Sequence, residues 1–94
     1  MSEGIFRRLE QAIGNCDPEL ARQLAKEALT NGVDPLEAIE KGLSRGMAEV
    51  GRKYEAREYF LPDLIMGGEA FKAALEVLEP ELLRKMKTRT IKGK

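Results

Sequence analysis

"GVDPLEAIEKGLSRGMAEVGRKYEAREYFLPDLIMGGEAFKAALEVLEPEL", residues 32–82, decides the fold of this 94-residue chain. Leu36, Ile39, Leu43, Met47, Val50 and Tyr54 recur at steps of three and four, the spacing of one helix face. After the short polar break "EARE", Leu61, Leu64, Gly68, Phe71, Leu75, Leu78 and Leu82 repeat the same rhythm without a miss. Two amphipathic helices over 35–54 and 61–83 follow from these stripes.

Two shorter helices precede them. Phe6, Leu9 and Ile13 place one over 3–14; Leu20, Leu24 and Ala28, with Ala21, Ala25 and Leu29, place another over 18–31. The punctuation agrees. "CDPEL" and "VDPLE" each set an Asp at the N-cap, Pro at the first helical position and an acid in the first turn, so helices should start at Pro18 and Pro35. Asn31 and Gly32 are suited to stop the second helix in a left-handed turn. Pro62 fits the first turn of the fourth helix, whereas Pro80 should kink or restart it. The fold class is therefore all-α, a four-helix and mainly antiparallel bundle, because short connections join antiparallel neighbours. Only "TRTIKGK" at the very end hints at a strand.

Composition narrows the function. Residues Arg84 to Lys94 hold six basic residues and no acid, leaving ten basic against sixteen acidic residues before them, so the body is net −6. An acidic body argues against nucleic-acid binding, which relies on clustered Lys and Arg. No apolar run approaches the roughly 20 residues that cross a bilayer, and no signal-peptide core is present, so a cytoplasmic protein without membrane contact is expected. Cys16 is the only cysteine, which excludes an intrachain disulfide or a thiolate zinc cluster; it reads as an ordinary thiol. Histidine is absent, removing the commonest general base and metal ligand, and no acid–base constellation replaces it. The chain is not expected to be an enzyme by itself.

Two features ask for a cause. Gly42 and Gly46 lie one turn apart in the third helix, and Gly67 and Gly68 lie in the fourth, at about 0.5–1 kcal/mol each relative to Ala. Close helix approach accounts for them; at Gly67 and Gly68 room for a flat ligand or a docked domain is the alternative. Three of the five aromatic residues, Tyr54, Tyr59 and Phe60, fall within seven positions. Tyr54 ends the third helix, while Phe60, Leu61 and Leu64 begin the fourth, so four large apolar residues converge at one end of the bundle. They form either a staple closing the core or an exposed platform for a ligand or partner. Tyr59 reads as a packing residue beside them.

The residues also carry a resemblance. A "DP" helix start, "GL…GM…VG", an aromatic, "FLP" and "KAAL…L.P" occur here in order. This pattern resembles the N-terminal helical domain of cobalamin-binding methyl-carrier proteins, which include the corrinoid proteins of methanol and methylamine methyltransferase systems and the matching module of cobalamin-dependent methionine synthase. The resemblance extends more weakly back to about Ile5. It implies a cap over the upper face of cobalamin that shields the cobalt-bound methyl group, with Tyr54, Phe60, Leu61 and Leu64 as the cofactor-facing residues. Related proteins often have Phe where Tyr54 stands, which adds a hydroxyl that needs a partner.

In that family a Rossmann-like corrinoid-binding domain follows, and its "DxHxxG" loop supplies the histidine below the cobalt. This chain has no such histidine and should not ligate the metal. The resemblance divides it into a helical cap, 1–83, and a basic linker, 84–94, that would act as a hinge toward the absent domain. The chain is then an excised domain or a gene product lacking its partner. A substrate-specific methyltransferase and an acceptor methyltransferase are the implied partners. Two rivals are a stand-alone interaction module that forms a homodimer through its apolar patch, and the bundle of a corrinoid-dependent regulator. The latter group tends to carry Trp and His near the upper face, and both are missing here.

Overall fold

At the three connections between helices, local signals satisfy the backbone groups left over at the helix ends. The computed structural model describes the backbone of residues 2–92 and the side chains of residues 3–86. Helix α1 spans Ser2–Gly14, and α2 spans Pro18–Thr30. Helix α3 covers 35–55 in three parts: an α-turn Pro35–Ala38, a π-turn Ile39–Leu43 and an α-segment Ser44–Glu55. Helix α4 runs over Leu61–Lys92. Asp17 and Asp34 are the N-caps, accepting from the Leu20 and Leu36 amides, with Pro18 and Pro35 just inside.

The first three helices end in one motif. At each, a residue in the left-handed region lets its own amide and the next one reach back to the last turn. At α2 this is Gly32 (φ 78°), whose amide donates to Leu29, while Val33 donates to Ala28. Cys16 (φ 58°) and Arg57 (φ 67°) take the same place after α1 and α3, although each carries a side chain. Asp17 thus closes α1 through its amide, donating to Ala12, and opens α2 through its carboxylate.

Consecutive helices run antiparallel, as the short connections require. The two most extensive interfaces, however, join the parallel pairs α1–α3 and α2–α4. Along the first, a Cβ on Gly42 would lie 2.9 Å from Leu9 Cβ, and one on Gly46 would lie 2.4 Å from Ile13 Cβ and 2.9 Å from the Glu10 carbonyl. Glycine there is a condition of helix approach. The π-turn, in which the Ser44 amide bonds the Ile39 carbonyl, inserts one residue into the ladder. It lets Gly42 and Leu43 both be buried, the first against α1 and the second in the core.

In α4 the buried line is Gly67, Ala70, Ala74 and Leu78, not the large-residue stripe. Of the stripe, only Leu78 is fully buried; Leu64, Gly68, Phe71, Leu75 and Leu82 are half-buried, and Leu61 is exposed. Small residues take the closest approach, and the bulky ones flank it. Gly67 fits the close-approach reading, since a Cβ would meet Val50 at 3.0 Å, but Gly68 has nothing within 4 Å. Leu20, expected on the inner face of α2, is exposed as well.

The largest departure lies at the C-terminal end. The fourth helix was expected to stop at residue 83, before a linker and a hint of strand; it continues to Lys92. Helix α4 passes through Pro80 without a break, because Pro80 and Glu76, whose carbonyl loses its helical donor, are both exposed and water can serve that carbonyl. "TRTIKGK" is helical as far as Lys92, and its last two residues lie outside the described ones.

Candidate functional site

The α1–α2 turn and the α3–α4 loop lie at the same end of the bundle, and the aromatic cluster sits between them. Tyr54 is in the last turn of α3. The loop then folds back on Lys53, whose carbonyl accepts from the Glu58 amide at 2.8 Å and the Tyr59 amide at 3.0 Å. Phe60 stands at the N-cap of α4 without a side-chain oxygen to offer. Asp63, three residues on, supplies half of a capping box instead: its Oδ2 accepts from the Phe60 amide at 3.0 Å, in the first turn where the dipole favours a negative charge.

This geometry leaves the apolar side chains outside. Phe60 is 66% exposed, Leu61 56% and Tyr54 42%. With Glu55, Arg57 and Tyr59 they line an open depression of about 420 Å³. Of the four residues expected to face a cofactor, the structure gathers Tyr54, Phe60 and Leu61 around this depression. Leu64 does not line it; it is half-buried and packs against the core. Ile65, one turn beyond Leu61, is 55% exposed and extends the apolar end. Sequence reading passed over Ile65 because it falls outside the stripe of threes and fours, although its i+4 spacing from Leu61 was visible.

Tyr59 is held differently from Phe60. Its hydroxyl donates to the Gly14 carbonyl at 2.7 Å, and Lys53 Nζ lies 5.0 Å from its ring centroid. Beside it, Cys16 Sγ donates to the Asp63 carbonyl at 3.2 Å. Burial, and next the Asp63 charge, push the Cys16 thiol above its ordinary range, so it stays protonated and able to donate. Further along α3, the Arg52 guanidinium holds the Glu49 carboxyl below its usual range in an exposed ion pair. Among the described residues no three of His, Cys, Asp and Glu gather as a metal site, and no helix is long and apolar enough to cross a membrane.

Known proteins give this arrangement a context. Residues 5–79 match the B12 binding domain family. The chain is 44% identical over 90 residues to trimethylamine corrinoid protein 1 of Methanosarcina mazei, covering 95% of this chain and 42% of that protein. It is 49% identical over 83 residues to monomethylamine corrinoid protein 2 of Methanosarcina barkeri, covering 88% of this chain and 38% of that one. The solved structure of the M. barkeri monomethylamine corrinoid protein superposes with a TM-score of 0.83 at 48% identity, over 86% of this chain and 38% of that chain. The chain thus spans about two fifths of the length of these relatives. By sequence and by fold, it belongs to the B12 binding domain family.

Proposed function

We propose that this chain is the helical cap of a corrinoid methyl carrier, and that the end bearing Tyr54, Phe60 and Leu61 covers the upper face of cobalamin. The observation that carries the reading is the exposure of these three side chains at one end of a bundle of this family. Phe60 is the most exposed of the large apolar side chains among the described residues, and a monomer gains nothing by leaving it in water. The residues fit the group: an apolar surface suits the flat face of a macrocycle, and Glu55 and Arg57 at its rim suit polar substituents on the edge. When bound, cobalamin supplies the cobalt that carries the methyl group.

The chain's own part is exclusion. Phe60, Leu61 and the ring of Tyr54 keep water and oxidants from the face they cover, and the chain by itself carries out no step of the chemistry. A methyltransferase needs the same face, and the cap must therefore move as a body. The expected hinge, 84–94, is helical as far as Lys92, so α4 serves as a rigid arm on which the cap turns. A Rossmann-like corrinoid-binding domain, a substrate-specific methyltransferase and an acceptor methyltransferase are the partners. That relatives are named for trimethylamine and monomethylamine supports a methylated amine as the donor class.

The test joins the chain to a corrinoid-binding domain, loads it with methylcobalamin and measures photolysis and air oxidation. Phe60→Ala with Leu61→Ala should raise both rates several-fold at unchanged helix content. Equal rates in an intact fold would remove the cap reading. A mass that doubles with concentration, with no response to corrinoid, would favour a homodimer.

A further inference from the structure

The α3–α4 loop is fastened on both sides of Phe60, and both fastenings end on the turn between α1 and α2. On one side Tyr59 donates to Gly14 at 2.7 Å; on the other, Cys16 donates to the carbonyl of Asp63 at 3.2 Å, and the Asp63 carboxylate takes the Phe60 amide at 3.0 Å. The Tyr59 and Cys16 contacts join residues 45 and 47 positions apart, so helix propensity does not make them. The turn also holds Cys16 in the left-handed region, at φ 58°, an unusual setting for a residue with a side chain. Tyr59 is half-buried while its neighbour Phe60 is 66% exposed, so two adjacent aromatics divide the tasks of holding and of presenting.

We infer that Tyr59 is a positioning residue: by tying the loop to the C-terminal end of α1, it fixes the direction in which Phe60 and Leu61 project. Asp63 completes the fixture from the α4 side. The inference deepens the cap reading and rests on it for its consequence, since a loop free to swing would let Phe60 fold back or splay. An apolar cover excludes water only while its side chains hold one arrangement.

Amide hydrogen exchange on the 94-residue chain tests the fixture without any corrinoid. Tyr59→Phe keeps the ring and removes one donor. Exchange at Glu58, Tyr59 and Phe60 should quicken about fivefold, in keeping with one lost hydrogen bond, while Leu9, Ile13 and Leu78 exchange as before. Asp63→Asn should leave the Phe60 amide protected, because an amide oxygen still accepts, whereas Asp63→Ala should release it. Unchanged loop exchange in Tyr59→Phe, or an equal acceleration at every amide, overturns the positioning role. In the methylcobalamin-loaded fusion, Tyr59→Phe should raise photolysis although Phe60 is still present. Photolysis that responds to Phe60→Ala with Leu61→Ala but not to Tyr59→Phe overturns the positioning role and spares the cap reading.

Discussion

The seam between α1 and α3 and the apolar end of the bundle use similar residues to opposite effect. In the seam, Leu9 and Ile13 are wholly buried against glycines, and no space is left for a single added carbon at Gly46. At the end, Phe60 and Leu61 stand in solvent around an open depression. A large apolar residue therefore does not report its own burial; the size of what faces it does. The seam is closed within this chain, whereas the end is left open to solvent.

The comparison breaks most readily at Gly46. A Cβ there would sit 2.4 Å from Ile13 Cβ and 2.9 Å from a backbone carbonyl, so Gly46→Ala forces the two helices apart. Overpacking of this kind costs about 1–3 kcal/mol, and better helix propensity returns less than about 1. A net loss of roughly 1–2 kcal/mol should lower the melting temperature by about 5–10 °C in a domain of this size. Thermal denaturation followed by circular dichroism checks it; a melting temperature that stays or rises would mean the seam is not closed.

Leu64 and Phe60 sharpen the contrast within the site itself. Leu64 packs on the core, so Leu64→Ala should cost about 1–2 kcal/mol, below the range for a fully buried leucine. Phe60→Ala removes the larger side chain but should cost less than about 0.5 kcal/mol, because that side chain is mostly in solvent already. Urea denaturation of the two variants decides it. A larger loss for Phe60→Ala would make the end a core lid after all, and would remove the main support for an external ligand.

Much of this was legible in the sequence, for physical reasons that differ by element. Asp17, Pro18, Asp34, Pro35 and Gly32 act through their own backbone and nearest neighbours, so they marked helix ends correctly. The convergence of Tyr54, Phe60 and Leu61 was also readable, since a helix end and a helix start joined by a short loop must meet. Burial within α4 was not. Its stripe of leucines was continuous, yet Gly67, Ala70 and Ala74 take the inner line, because small residues permit an approach that hydropathy does not record. Nor does residue 83, the expected end, carry any stop signal; Pro80 was expected to kink or restart the helix, but an exposed proline is tolerated where water reaches the freed carbonyl. The left-handed Cys16 and Arg57 were invisible because neither residue type marks such a position; at Cys16 a tertiary hydrogen bond to the Asp63 carbonyl accompanies it.

Gly68 offers a smaller and opposite effect to Gly46. Nothing lies within 4 Å of an added Cβ, so Gly68→Ala should stabilise the chain by about 0.5–1 kcal/mol through helix propensity and a less flexible unfolded state. A rise of a few degrees in melting temperature is the expected result. Should Gly68→Ala instead lower stability as Gly46→Ala does, the open side of α4 would be as tightly packed as the seam.

The smallest effect is a pH dependence at the join of the two regions. Cys16 is raised above its ordinary value of 9.0, first by burial and then by the Asp63 charge. The folded chain therefore binds this proton more tightly than the unfolded chain. Its contribution to stability is complete below the unfolded value, and it is lost as pH rises from about 9 through the folded value. Urea midpoints of the parent chain and of Cys16→Ser should run in parallel from pH 6 to 8. Above about 9 the parent should fall faster, because thiolate formation also removes the donor to the Asp63 carbonyl, whereas serine stays neutral and keeps it. Parallel curves up to pH 10.5 would show that Cys16 does not need its proton in the fold, and the α4 side of the loop fixture would then rest on the Asp63 carboxylate alone.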